Sequence, residues 1–345
     1  MSQFLVVVTD DRFGNYDLER EVLSHIDAEL YVTPHEDSDR LAGHIERSAE
    51  PNSDSGPHSA LLSNMSEESA QAWRDADAML VNLFPVTREL IAELPRCRVL
   101  SRYGTGYDNV DISAAHQRDI AVARVPDYAT EEASDHAIAM MLAAVRRLPE
   151  RDRAVREGAW DKGRSPITRI RGSRLGVIGL GRAGLAVIRK MQSFGLAEVL
   201  VYDPGKSPER VAEVGARQVD LATLMESCDI VSLHAPLREE TRGLISRHML
   251  ESAKPGMVFV NTARGPIVDE AALAESIATG RIAYAGLDVF VHEPLSVHSP
   301  LCELGNVILT DHSAYYSEQS IVDLKRGAAQ NVAALLRGER IRDLV

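Results

Sequence analysis

Leu175-Gly176-Val177-Ile178, then Gly179-Leu180-Gly181-Arg182-Ala183-Gly184, then Val199-Leu200-Val201-Tyr202-Asp203: the fold turns on these residues. The first run is apolar and β-branched and reads as a buried strand, and the glycines open a helix expected over 182–194. A glycine-rich turn alone often holds no ligand. Here a strand precedes it, a helix follows it, and Asp203 stands at the end of the next strand, 19 residues past Gly184. Glycines at these positions permit a tight turn and let a pyrophosphate approach backbone N–H groups at a helix N-terminus. Asp203 can accept hydrogen bonds from ribose hydroxyls and would repel a 2′-phosphate, which favours NAD over NADP.

Working outward, 175–178, 199–202, 230–233, 257–261, 283–287 and 307–309 make a set of six strands with helices between them. That is the pattern of a doubly wound parallel sheet. Upstream, 4–9, 78–81, 98–101 and 120–123 read as short strands of a second parallel α/β unit. The stretch 34–66 is rich in Ser, Asp, Glu, His and Asn, includes Pro51 and Pro57, and reads as a surface insertion. A helix over 131–147 has an acidic start and a basic end, as the helix dipole favours, and an apolar middle over 137–145. Such a surface needs burial, in the core or against a second copy of the chain. The last helix, 318–337, follows the six strands and is expected to return to the first unit.

The chain has 345 residues, enough for about two domains. Its net charge of −13 and the absence of a Lys/Arg-rich run argue against a nucleic-acid partner. Only five of 38 cationic side chains are Lys, a bias we attribute to coding rather than to function. Cys97, Cys228 and Cys302 lie far apart with no CxxC spacing, which argues against a zinc site or disulfide framework and for a reducing compartment. The beginning of the chain lacks a basic, signal-like region, and no apolar run reaches a membrane span, so a cytoplasmic protein is expected.

Arg264, in Asn261-Thr262-Ala263-Arg264-Gly265, follows a predicted strand and so stands where ligands bind in open α/β sheets. An Arg more often makes a surface ion pair, but a guanidinium at a strand end can hold a carboxylate bidentately. His312 follows the strand 307–309, and Glu293 lies in a loop ending Glu293-Pro294. Either one alone could be an ordinary surface or core residue, and nothing in their spacing pairs them.

Together these motifs resemble the D-isomer-specific 2-hydroxyacid dehydrogenase family. The resemblance rests on 177–184, on Asn261-Thr262-Ala263-Arg264-Gly265-Pro266-Ile267-Val268-Asp269-Glu270, on Gly286-Leu287-Asp288-Val289-Phe290 with Glu293-Pro294, and on Gly104-Thr105-Gly106-Tyr107-Asp108-Asn109-Val110-Asp111. Arg102-Tyr103-Gly104 and His312-Ser313-Ala314-Tyr315-Tyr316 are most similar to the C-terminal-binding-protein branch of dehydrogenase-like corepressors and its bacterial relatives. The resemblance implies two Rossmann-like domains. A doubly wound NAD domain over 123–313 is inserted into a flavodoxin-like substrate domain made of 1–122 and 314–345.

It also implies roles. His312 would be the acid/base, charged and held by Glu293, and Arg264 would bind a 2-oxo acid. Arg102 and the Gly104-Thr105-Gly106 backbone would cradle its carboxylate, with Tyr315 beside it. Gly179, Gly181, Arg182, Ala183, Gly184, Asp203, His234, Ala235, Pro236, Thr262, Ala263 and Asp288 would line the cofactor, Asp288 at the nicotinamide amide. No metal is implied. The helix 131–147 would form part of a homodimer interface.

The chain departs from the family in having Asp311 where Pro usually precedes the His, and Tyr315 where the corepressor branch has Trp. The loop Asn82-Leu83-Phe84-Pro85 offers no cation, and Leu83 and Phe84 suggest a small or apolar substrate side chain. The expected activity is reversible reduction of a 2-oxo acid to a D-2-hydroxy acid with NADH, with water excluded by closure of a cleft. The rival is an NAD(H)-responsive protein-binding module, a role the corepressor likeness admits.

Overall fold

The computed structural model describes residues 3–48, 61–160 and 167–345. They form two compact units, Met1–Tyr128 with Glu318–Val345, and Ala129–Ser317.

The first unit holds β1 (Phe4–Val8), β2 (Ala28–Val32), β3 (Ala78–Val81), β4 (Val99–Arg102) and β5 (Ala121–Ala123), all parallel, in the order β2-β1-β3-β4-β5. This is the flavodoxin-like order. Alternate residues of each strand face opposite sides. Val7, Met79 and Leu100 pack with Leu41, Trp73 and Leu90 on one side, and Val6, Val8 and Leu80 with Leu23 on the other. The C-terminal helix Glu318–Leu336 closes that second side through Leu324, Ala328 and Val332. The edge strand β2 is absent from the sequence reading, because Ala28-Glu29-Leu30-Tyr31-Val32 is only partly buried and its apolar run is just three residues long.

The 34–66 stretch departs from the surface insertion that its composition predicts. His35–Ser48 is an α-helix and Leu61–Asn64 a 3₁₀ turn, and Leu41, Ile45, Leu62 and Met65 lie in the core. Two of its polar residues, Asp37 and Ser38, are buried. Buried Asp37 accepts hydrogen bonds from Ser66 N, Ser66 Oγ and Ser69 Oγ and so ties this helix to the next, Glu67–Asp75. Residues 49–60 of the expected insertion lie outside the described part.

The second unit holds β6 (Arg174–Ile178), β7 (Glu198–Tyr202), β8 (Arg217–Gln218), β9 (Ile230–Leu233), β10 (Met257–Asn261), β11 (Ile282–Leu287) and β12 (Val307–Leu309). Their order is β12-β11-β10-β9-β6-β7-β8, all parallel. Numbered within the unit, that is the dinucleotide-binding order extended by one strand. β8 adds a seventh strand to the expected six; its two residues are too few to leave a pattern.

The apolar helix, Thr130–Arg146, spends one face on this sheet: Ala137, Met140, Met141, Ala144 and Val145 are buried with Val177, Val258, Val260 and Tyr284. Gly286 on β11 admits it, since a Cβ there would stand 2.9 Å from Met140 Cβ. Glu131, Asp135, Ala139 and Arg146 are exposed. Arg147, at φ 52°, ends this helix, and the exposed helix Leu148–Arg156 follows.

The boundaries between units lie a few residues beyond those expected at 122/123 and 313/314, and hydrogen bonds say why. Arg124 N donates to Asp343 O and Val125 N to Gly104 O, within the first unit. Ser313 N and Ala314 N donate to Asp288 in the second. No described helix is long and apolar enough to cross a membrane.

Candidate active site

Because every strand of the second unit runs the same way, its carboxyl ends share one edge. β6 delivers Gly179–Gly184 there, β7 Asp203, β9 His234–Pro236, β10 Thr262–Arg264, β11 Asp288 and Glu293, and β12 His312. The strand order reverses between β6 and β9, which is where such sheets bind ligands.

The three glycines after β6 have separate physical causes. Gly179 lies at φ 95°, and a Cβ on it would sit 2.7 Å from Ala235 N, so only Gly lets the β6 and β9 loops meet. A Cβ on Gly184 would collide with Gly179 O, so this residue sets how closely helix Arg182–Met191 packs on its strand. A Cβ on Gly181 would meet nothing within 4 Å. Gly181 is also the N-cap of that helix and has no side-chain cap. Open space in front of uncapped N–H groups suits a pyrophosphate. Thr262 Oγ1 is buried and has no hydrogen-bond partner among the described residues, which suits a cofactor hydroxyl or amide. The residues present therefore fit a dinucleotide.

Asp203 stands beside this turn, its Oδ2 accepting from Leu180 N at 2.8 Å and its Oδ1 from Gly205 N at 2.9 Å. His234 approaches Ser232 Oγ at 2.8 Å through Nε2, and burial pushes it from 6.5 down to about 4, so the ring is neutral. Ala235 is buried and Pro236 exposed. Arg182 is exposed and Ala183 half-buried at the helix start.

The structure brings His312 and Glu293 together, which spacing alone gave no reason to expect. His312 Nδ1 lies 2.6 Å from Glu293 Oε2. Glu293 Oε1 accepts from Phe290 N at 2.9 Å, which fixes the carboxylate. Burial raises the Glu293 pKa. Hydrogen bonds from His312 and Phe290, and the charges of His312 and Arg264, outweigh it and hold the carboxyl below the usual Glu value. His312 Nε2 has no partner among the described residues. The backbone of His312 is left-handed, at φ 55°.

Arg264 is held at the same edge by its turn: Asn261 Nδ2 donates to Arg264 O and Ala263 N to Asn261 Oδ1. Arg264 Nη1 donates to Ala263 O. Gly265 follows because a Cβ there would overlap the Phe290 carbonyl, so the Arg264 turn and the Glu293 loop are packed backbone to backbone.

Asp288, expected at the nicotinamide, is buried and accepts from Thr310 Oγ1, Ser313 N and Ala314 N. Tyr315 stands edge-on to His312, with ring centroids 6.4 Å apart, and Asp311 is exposed. Sequence reading missed His136 and Thr310, which lie behind Asp288. His136 sits in an apolar helix with nothing in its own neighbourhood to mark it.

In the first unit, Arg102 is buried, its Nε donating to Asn109 Oδ1 at 3.2 Å and its Nη1 to Tyr103 O. Gly104 lies at φ 153°, a backbone conformation that L side chains rarely adopt. Thr105 is exposed, and its hydroxyl reaches the Val125 and Pro126 carbonyls; Gly106 is half-buried. Phe84 is not free to line a pocket: it is a core residue stacked edge-on against Trp73 at 5.3 Å. Leu83 is exposed.

The family model of the D-isomer specific 2-hydroxyacid dehydrogenase, NAD binding domain, matches residues 138–314. The chain is 40% identical to a D-3-phosphoglycerate dehydrogenase of Archaeoglobus fulgidus over 260 residues, 75% of this chain and 49% of that one. It therefore spans about half the length of that relative. It is 39% identical to a glyoxylate reductase of Korarchaeum cryptofilum over 277 residues, 79% of this chain and 83% of the relative. A solved D-lactate dehydrogenase from Aquifex aeolicus, complexed with NAD and lactic acid, is similar with a TM-score of 0.79 at 25% identity, covering 97% of this chain and 96% of that one.

Proposed function

From the premise that this chain belongs to the D-isomer specific 2-hydroxyacid dehydrogenase family, we propose that it is an NAD-dependent oxidoreductase interconverting a 2-oxo acid and a D-2-hydroxy acid. One observation carries the reading. His312 is clamped through Nδ1 by an ionised Glu293 and keeps Nε2 open, at the strand edge that also carries the dinucleotide turn.

Reduced cofactor, when bound, supplies hydride to the substrate's C2. His312 gives its Nε2 proton to the carbonyl oxygen and takes it back in oxidation. Glu293 holds Nδ1 and orients the ring. Arg264 binds the substrate carboxylate and stabilises charge on the oxygen as hydride arrives. In the first unit, Arg102 and the Gly104-Thr105-Gly106 backbone are assigned to the carboxylate; in the second, Tyr315 flanks the substrate. Gly179, Gly181, Arg182, Ala183 and Gly184 take the pyrophosphate. Asp203 takes the ribose, with preference for NAD, and His234-Ala235-Pro236 with Thr262-Ala263 line the rest of the cofactor site.

We extend the proposal to a cytoplasmic homodimer. Met140 serves its own core, so the surface for a second copy is the outer side of helix Thr130–Arg146 and the exposed Leu148 and Val155 of the next helix. No observation favours the protein-binding module, and the relatives above carry enzyme names. The test is a panel of glyoxylate, pyruvate and hydroxypyruvate with NADH, followed by loss of NADH absorbance. Turnover of at least one is expected, and inertness toward all would overturn the reading.

A further inference from the structure

His312 occupies a backbone region that costs a non-glycine residue energy, so something must hold it there. The surroundings identify what does. His312 N donates to the Asp288 carbonyl at 2.9 Å. The Asp288 side chain takes the next two amides, Ser313 N on Oδ1 at 2.9 Å and Ala314 N on Oδ2 at 3.0 Å. It takes the other flank through Thr310, whose Oγ1 donates to Oδ1 at 2.5 Å. One residue thus grips the chain on both sides of the histidine. Every bond to its carboxylate is a donor's. Its side chain is only 1% exposed.

A buried carboxylate needs its donors held in place. Thr310 Oγ1 has its proton on Asp288 and so can only accept from its other neighbour, His136 Nε2, at 3.1 Å. That fixes the His136 tautomer with the proton on Nε2. The same nitrogen lies 3.6 Å from Asp288 Oδ1. His136 stands on helix Thr130–Arg146, whose neighbouring turn is locked into the sheet by Ala137, Met140 and Met141. The apolar helix is therefore the rigid base of a chain running His136 to Thr310 to Asp288 to the 312–314 backbone.

We infer that His136, Thr310 and Asp288 form a brace that holds His312 in its working geometry, His136 being a positioning residue that never meets substrate. This rests on the acid/base role proposed for His312. Small misplacements of a catalytic group are expensive in rate, so the effect falls on turnover more than on cofactor binding.

The test compares His136→Leu, which removes the donor, with His136→Gln, which returns an N–H near the position of Nε2. Amide hydrogen exchange of 312–314 in the unliganded protein is the first readout, with unfolding midpoints to confirm an intact fold. Thr310→Val repeats the test without touching the helix. His136→Leu and Thr310→Val should raise exchange at Ser313 and Ala314 roughly tenfold or more, and His136→Gln should restore most of the protection. Glyoxylate reduction with NADH is the second readout. kcat should fall by about tenfold or more in His136→Leu, with the KM for NADH within about twofold of wild type. Unchanged exchange in both His136→Leu and Thr310→Val overturns the brace, whatever turnover does. His312→Ala separates the two ideas: wild-type turnover in that variant removes the acid/base role and leaves the exchange result to decide the brace.

Discussion

The two units are parallel sheets of related winding, yet their strand ends are finished in opposite ways. In the first, outside the Arg102–Gly106 turn, polar groups at the carboxyl ends are largely consumed internally. Asp10 accepts from Thr9, Arg12 and Asn82; Tyr103 donates to buried Glu19, which lies 3.5 Å from buried Lys325. In the second, capacity is left over among the described residues: an uncapped helix start at Gly181, a Thr262 hydroxyl without a partner, and an open His312 Nε2. A winding pattern thus does not confer chemistry. Chemistry enters where hydrogen-bonding groups are held by neighbours but not used up.

Mutations can break or sharpen that contrast. The largest effect is expected at the open end: His312→Ala should lower kcat for 2-oxo acid reduction by about 10²–10⁴-fold with little change in unfolding midpoint, read by steady-state kinetics beside urea melts. At the closed end the loss should appear in stability. Glu19→Leu strands the Lys325 charge and should cost about 3 kcal/mol, much of it returned in the Glu19→Leu/Lys325→Leu double variant. A double variant no more stable than the single one would show that the pair is not what the site needs.

His234 gives a pH test. Its folded pKa, about 4, lies below the ordinary 6.5, so the unfolded chain takes up its proton first as pH falls. Stability should drop by about 1–3 kcal/mol between pH 7 and pH 4 on this account, and His234→Asn should flatten that drop. Parallel stability curves for the two proteins would dismiss it.

Next in size, Asp203→Ala should narrow the preference for NADH over NADPH by about tenfold, because repulsion of a 2′-phosphate is lost; equal use of both cofactors by wild type would contradict the assignment. The smallest effect is in Glu293→Gln. The amide keeps an oxygen for Phe290 N but removes the anion that holds His312 Nδ1, so kcat for 2-oxo acid reduction should fall by less than about tenfold. A wild-type kcat would turn attention to Asp311, the exposed acid beside the histidine.

Sequence alone determined six of the seven strands of the second sheet, because buried parallel strands are written as continuous apolar runs and the dinucleotide turn needs glycine at fixed places. Gly179, Gly181 and Gly184 each do a different steric job, and all three are legible as letters. Arg264 and His312 were legible as strand-end residues, but their grouping with Glu293 came from resemblance. Only the tertiary structure decided that pairing, because 19 residues of chain separate His312 from Glu293 and loop closure follows from strand order. It alone moved Phe84 and the apolar residues in the flanks of the 34–66 stretch into the core, with buried Asp37 taking hydrogen bonds from Ser66 and Ser69. It alone found His136, Thr310 and Asp288 in one chain of hydrogen bonds. A brace is made of contacts between three elements distant in sequence, and no local pattern records a contact of that kind.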